Sequence, residues 1–296
     1  MHELPQTRDL ATFVSVVEAG GFAEAARRLG VAPSTLSRTV SRLEERLSVV
    51  LLRRTTRALE LTPEGRDLLE AAREIVDRTE ALADLATQGG TPRGPLRINA
   101  PVPWVLHVLA PALPDFIARY PEIEISIEMT DSVVDLIGAQ ADVAIRMGTL
   151  GDSELLRRPL GYAVWRLVAA PDYLARMGPP ETPQDLTRLR QVRFQSPAHI
   201  NELRFDDDPE PVALAPSVTA GNGEAARALV CAGLGVARFS DFMVARDIAE
   251  GRLVELFPGR LSVEPLPVQA VYMTRAAGLR RLGAFLDWLS EVYGSQ

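Results

Sequence analysis

Residues Gly21-Phe22-Ala23-Glu24-Ala25-Ala26-Arg27-Arg28-Leu29-Gly30-Val31-Ala32-Pro33-Ser34-Thr35-Leu36-Ser37-Arg38 decide how the rest of this chain is read. Phe22 to Leu29 predicts a short helix with Ala25, Ala26 and Leu29 turned inward. Gly30 supplies the left-handed residue that ends a helix at little cost. Pro33 suits the first turn of a new helix, where its missing N–H would be unpaired anyway. That helix is expected to reach about Leu47, with Leu36, Val40, Leu43 and Leu47 on one stripe. Two short helices across a tight glycine turn, the second rich in Ser, Thr and Arg, form the arrangement that lays a helix in the major groove of DNA. The candidate contacts on this segment are Arg28, Pro33, Ser34, Thr35, Ser37, Arg38 and Arg42.

Working outward, Asp9 to Ala19 predicts a first helix, with Leu10, Phe13, Val14 and Val17 on one face. Downstream, Val49 to Leu52 and Ala58 to Leu61 read as short strands. Arg53-Arg54-Thr55-Thr56-Arg57 forms a basic tip between them, adding Arg53, Arg54, Thr55 and Arg57 to the candidate DNA contacts. Thr62-Pro63-Glu64 is a strong helix start: a hydroxyl cap, proline at the first position and an acid in the first turn. The helix it opens runs to about Thr87. Leu68, Ala72, Ile75, Thr79, Leu82 and Ala86 recur at coiled-coil spacing, a seam expected to meet the same helix of a partner subunit. Although the net charge is −7, the segment Gly21–Ala58 holds eight arginines against three acids, and Leu59–Gly90 three against eight. The local basic block matters more for DNA than the sum does.

Gln88 to Pro95 is the clear linker. Beyond it strands and helices alternate, from Leu96-Arg97-Ile98 and the helix Trp104–Arg119 to a closing helix Gly278–Val292, a pattern that predicts parallel sheet covered by helices.

The opening segment, with Leu43-Glu44-Glu45-Arg46-Leu47, Arg53-Arg54-Thr55-Thr56-Arg57 and Leu61-Thr62-Pro63-Glu64-Gly65, resembles the N-terminal domain of LysR-type transcriptional regulators. Asp142-Val143-Ala144-Ile145-Arg146-Met147-Gly148 with Asp152-Ser153 and Leu155, Ala232 to Val236, and Gly251 to Val254 are similar to the sensing domain of one branch of that family. The resemblance implies an N-terminal all-α winged helix-turn-helix (1–61), a linker and dimerisation helix (62–88), a hinge (89–95) and a two-lobed α/β domain like a periplasmic binding protein (96–296). Lobe 1 is expected at about 96–162 and 268–296, and lobe 2 at about 163–267. It also implies a dimer or tetramer on inverted-repeat operators in double-stranded DNA and a small-molecule effector between the lobes. The chain departs from the family pattern at Gly21 and Ala32, where a hydroxyl cap is usual, and at Ser48, where glycine is common.

Ligands in such sheets bind beyond the carboxyl ends of the strands. The effector is therefore expected near Ala100, Pro101, Val102 and Pro103, near Thr130 and Asp131, near Arg146, Met147 and Gly148, and near Gln195, Ser196, Asn222 and Gly223. Two of these points precede helices, whose free N–H groups suit a carboxylate, so an organic acid is the expected class. Arg146 is either its counter-charge or a tie from the strand end to Asp131 or Asp152, and Gly221-Asn222-Gly223 is either a contact or a turn.

An enzyme is disfavoured. Gly233-Leu234-Gly235 lacks the third glycine of a dinucleotide loop, and the chain has no lysine for a phosphate loop. His2, His107 and His199 have no metal-ligand spacing, so neither metal nor cofactor is expected. Cys231 stands alone among apolar neighbours, which fits a reducing cytoplasm. No apolar run reaches the roughly 20 residues that cross a bilayer.

Overall fold

In the computed structural model, residues 4–54, 59–86, 90–130, 141–150, 155–206, 208–273 and 279–294 are described. The chain divides into two units, residues 1–91 with 274–283 and residues 92–273 with 284–296. The first is built from α1 (Thr7–Glu18), α2 (Phe22–Leu29), α3 (Pro33–Leu47), a hairpin of β1 (Leu52–Arg54) and β2 (Leu59–Leu61), and α4 (Pro63–Ala86). Phe13 of α1, Ala25 and Ala26 of α2, Leu36, Val40 and Leu43 of α3, and Leu69 and Ala72 of α4 share one buried core. Polar ties lock it. Asp9, fully enclosed, accepts from Arg42 Nη2 at 2.7 Å and Arg46 Nη1 at 3.1 Å. Arg73 joins α4 to Glu18 of α1 at 3.2 Å.

Three expectations change here. Leu29, expected inward on α2, is exposed. The first strand begins at Leu52 rather than Val49, because Glu44 captures the intervening backbone: its Oε1 accepts the N–H groups of Leu51 and Leu52, and its carbonyl that of Val49. The α4 seam is also split. Ala72 is buried in the chain's own core, whereas Ile75, Thr79 and Leu82 are exposed. The caps behave as the departures suggested. Gly21 and Ala32 give no side-chain cap, and Ser48 takes the left-handed conformation at φ 54°. Thr62 does cap α4, accepting from the Gly65 N–H at 2.9 Å.

The second unit holds two five-stranded sheets. Lobe 1 contains β3 (Gly94–Ala100), α5 (Val102–Trp104), a π-helical turn (Val105–Leu109), α6 (Ala110–Arg119), β4 (Ile123–Met129), β5 (Val143–Met147) and β6 (Leu156–Ala163). Lobe 2 contains β7 (Trp165–Ala169), α7 (Pro171–Met177), β8 (Arg190–Phe194), the hairpin β9 (Leu203–Phe205) and β10 (Asp208–Val212), β11 (Ala215–Ala220), α8 (Gly223–Cys231), β12 (Val236–Ser240), α9 (Asp241–Ala249) and β13 (Val254–Leu256). The chain then returns as β14 (Leu266–Tyr272) and ends in α10 (Arg280–Gly294). The sheet orders are β4-β3-β5-β14-β6 and β11-β8-β12-β7-β13.

The sheets are mixed, not purely parallel. β14 runs antiparallel to β5 and β6, and β12 antiparallel to β7. The reason is the double crossing between lobes: β14 re-enters lobe 1 from the side where β5 and β6 end, pairing Val268 with Met147 and Leu266 with Ala163. β3 starts at Gly94, inside the expected hinge, because its amide donates to the Glu122 carbonyl. The helix expected over 133–139 lies outside the described residues. Trp288 packs against Phe116 in lobe 1, the ring centroids 4.9 Å apart and the planes tilted by 52°, and Trp104 is fully buried, as core residues should be. Cys231 is half-buried, and burial pushes its thiol up.

Candidate DNA-binding interface and effector cleft

The α2–α3 turn is set locally. Gly30 sits at φ 65° and its N–H closes on the Ala26 carbonyl. With Ala25 and Ala26 as the only buried side chains of α2, the two helices cross closely, and the buried stripe of α3 turns its other face outward. On that face Pro33, Ser34, Thr35 and Arg38 are exposed and Ser37 is half-buried. A helix start bearing small hydroxyls and an exposed arginine is equipped to touch phosphates and base edges. Arg53, exposed on β1, lies across from Glu60. Arg54 continues that strand, and Thr55 and Arg57 lie outside the described residues.

Two expected contacts have partners within the protein. Arg42 reaches the buried Asp9, so part of its charge is spent on fixing α3 to α1. Arg28 shares Glu24 with Arg27, and these hydrogen bonds, Arg27's first, hold the Glu24 carboxyl down to about 2.

At the strand ends of lobe 1, Ala100, Thr130 and Arg146–Gly148 come together: the Thr130 N–H donates to the Ala100 carbonyl, and β3 lies between β4 and β5. Arg146 is buried, donating from Nη1 to Asn99 Oδ1 at 2.8 Å and to its own strand's Ile145 carbonyl at 2.9 Å, and burial lowers its pKa. Asn99 Nδ2, also buried, has no hydrogen-bond partner among the described residues. Gly148 turns at φ 92° and donates to the Pro267 carbonyl. Met147 is half-buried beside it, and Asp131 lies outside the described residues.

In lobe 2, Gln195 and Ser196 are exposed just past β8, and the Asn222 side chain caps α8 by accepting from the Ala225 N–H. Gly223 is packed so tightly that a Cβ there would lie 3.2 Å from Pro103 of lobe 1 and 3.0 Å from Met243. Pro103 and Gly223 therefore form a contact between the lobes. Pro101 and Val102 lie half-exposed beside it.

A separate interlobe groove of about 910 Å³ is lined by Leu106, His107, Tyr162, Arg166, Asp241 and Tyr293, among others; none of the expected effector residues faces it. His107 Nε2 pairs with Glu224 at 2.8 Å, Arg166 with Glu255 at 2.8 Å, and burial pushes the Tyr293 hydroxyl up to about 12.

Sequence reasoning passed over Arg238. It sits within Val236-Ala237-Arg238-Phe239-Ser240, a fully buried strand, and is itself buried. A lone charge in an apolar strand was the available signal. Its guanidinium lies 4.6 Å over the Trp165 ring, and burial, partly offset by Glu202, draws its pKa down to about 10, so it remains a cation at neutral pH. Among the described residues no group of three or more His, Cys, Asp or Glu is placed to hold a metal, and no helix is long and apolar enough to cross a membrane.

Comparison with known proteins agrees with both halves. The family model for bacterial regulatory helix-turn-helix proteins of the lysR family matches residues 7–66, and that for the LysR substrate binding domain matches residues 89–294. The transcriptional regulator CrgA of Neisseria meningitidis serogroup C (strain 8013) is 39% identical over 291 residues, spanning 98% of this chain and 97% of CrgA. DmlR of Escherichia coli (strain K12) is 31% identical over 297 residues, spanning 99% and 96%. The solved structure of CrgA from N. meningitidis aligns at a TM-score of 0.66, covering 97% of this chain and 98% of that one. A helix-turn-helix with its polar face outward, joined to a two-lobed α/β domain and matched along nearly its whole length, places this chain in the LysR family of DNA-binding, effector-modulated transcriptional regulators.

Proposed function

We propose that this regulator binds inverted-repeat operators in double-stranded DNA as a dimer or tetramer in the cytoplasm, and that an organic acid held between the lobes of residues 96–296 sets how the operators are occupied. The observation that carries the DNA reading is the front of α3: Pro33, Ser34, Thr35 and Arg38 exposed together above a fully buried rear stripe. Arg53 on the hairpin adds a flanking cation. Ile75, Thr79 and Leu82, exposed at coiled-coil spacing on α4, supply an apolar strip for self-association through the 62–88 helix. The effector reading is supported by polar residues at the strand ends of each lobe, Thr130 and Arg146 in lobe 1 and Gln195 and Ser196 in lobe 2.

The test is a gel shift on the promoter region beside the protein's own gene, across a salt series, with the chain carrying Arg38, Arg53 and Arg54 all changed to Ala. Binding should weaken as salt rises and collapse in the triple variant. Binding indifferent to both would refute the assignment.

A further inference from the structure

Arg238 poses a question that the core of lobe 2 does not answer. Its guanidinium is enclosed, yet among the described residues it makes one hydrogen bond, from Nη2 to the His199 carbonyl at 3.2 Å, while Nε is buried with no partner. No carboxylate among the described residues stands within ion-pair distance of it. A buried cation bonded to a neutral carbonyl and packed on an aromatic face, with Glu202 acting on it from beyond ion-pair distance, is incompletely compensated.

The position is also telling. Ser240 pairs with Trp165, β7 begins just after the chain crosses between lobes, and the Asp241 N–H donates to the Val164 carbonyl at 2.8 Å. Arg238 thus lies mid-strand on the central β12, two residues before its hinge-side end, with β8 running parallel beside it. The His199 carbonyl that it meets belongs to an exposed segment: Gln195 to His199 are exposed, and the loop is pinned further on, where Asn201 bonds to both backbone groups of Phe194.

We propose that Arg238 is the anchor for a carboxylate of the effector, which replaces the His199 carbonyl as its partner while the Gln195–His199 loop folds over it. Arginine suits this role because its planar fork donates two parallel hydrogen bonds to a carboxylate. Trp165 holds the plane of that fork from one side. The assignment rests on the reading of the domain as an organic-acid sensor and deepens it: the anion is gripped from lobe 2, where Arg146 of lobe 1 is already bonded to Asn99.

The experiment uses the full chain with Arg238→Met and Arg238→Lys. Acetate, succinate and benzoate are titrated at millimolar concentration against their neutral amides, with tryptophan fluorescence and melting temperature as readouts. At least one acid should bind the wild type and its amide should not. Arg238→Met should lose about 10- to 100-fold in affinity for that acid, with Arg238→Lys intermediate. Without ligand, Arg238→Met should melt at or above the wild-type temperature, since an uncompensated charge has been removed.

Unchanged acid binding by Arg238→Met, equal binding of amides, or no acid binding at all overturns the proposal. A lower melting temperature of the ligand-free Met variant does so too, because it marks a purely structural arginine. A parallel gel shift separates this from the broader reading. Operator binding by wild type and both variants, altered by a neutral metabolite, would leave an effector-modulated regulator standing without an anion anchor.

Discussion

Asp9 offers the sharpest test of what holds the DNA-binding unit together. It is fully enclosed, and each of its oxygens accepts from a different arginine of α3. The two bonds are unequal. The Arg42 side chain is 52% exposed, so water replaces its lost partner and the bond contributes about 0.5–1 kcal/mol. Arg46 is 19% exposed, and a charged hydrogen bond in that setting contributes about 1.5–3 kcal/mol. Asp9→Ala should therefore destabilise the unit by about 2–4 kcal/mol, and Asp9→Asn, which keeps one acceptor, by about half that. In double-mutant cycles the Asp9–Arg46 coupling should be about 1–2 kcal/mol and the Asp9–Arg42 coupling below about 1 kcal/mol. The assay exploits where the tryptophans are: Trp104, Trp165 and Trp288 all fall in the second unit. In urea unfolding of the full chain, helical circular dichroism should shift to lower denaturant while the tryptophan transition stays put. A loss under about 1 kcal/mol for Asp9→Ala, or a stronger coupling to Arg42 than to Arg46, would refute this account.

Four further outcomes are expected. In a salt series of operator binding, Arg38→Ala and Arg53→Ala should each flatten the slope of log K against log salt by about 1, and Arg42→Ala by clearly less because Asp9 already engages it; equal slopes would contradict that. Ala32→Ser should raise the stability of the first unit by about 1 kcal/mol by supplying the missing cap of α3, and Ser48→Gly by about 0.5–1 kcal/mol by relieving the left-handed backbone, both read by circular dichroism. Gly65→Ala would gain about 1 kcal/mol from helix propensity alone, but its Cβ would fall 2.2 Å from the Leu51 carbonyl oxygen; a net loss of about 2 kcal/mol or more is expected in the same denaturation. Arg146→Ala should abolish the response of operator binding to effector while leaving effector-free affinity intact, measured by gel shift; equal loss of both would reject a sensing role.

Much of the first unit was legible because its signals are short-range. Gly30 and Pro33 set the turn between α2 and α3 through their own backbone preferences, and Thr62-Pro63 starts α4 through a cap three residues long. The 3.6-residue stripe of α3 alone told which side faces out, and hence which arginines are exposed. In the second unit the strands of alternating apolar residues were legible in the same way, and so were the ends of β3, β4 and β5.

The partnerships between distant residues were not legible. Arg42 looks identical to Arg38 along the helix, and only the packing of α1 puts Asp9, 33 positions away, under one of them. The direction of β14 was hidden because periodicity carries no strand polarity; the two crossings between lobes fix it. Gly65 reads as a weak helix residue until Leu51 is folded against it. Arg238 reads as one charge in an apolar run, and only the assembled sheet, with Trp165 against it and the His199 carbonyl as its one hydrogen-bond partner among the described residues, makes it a buried cation short of a partner. Local conformation follows from the few residues that adopt it, whereas the partner of a buried charge depends on which distant segments the core brings within about 3 Å.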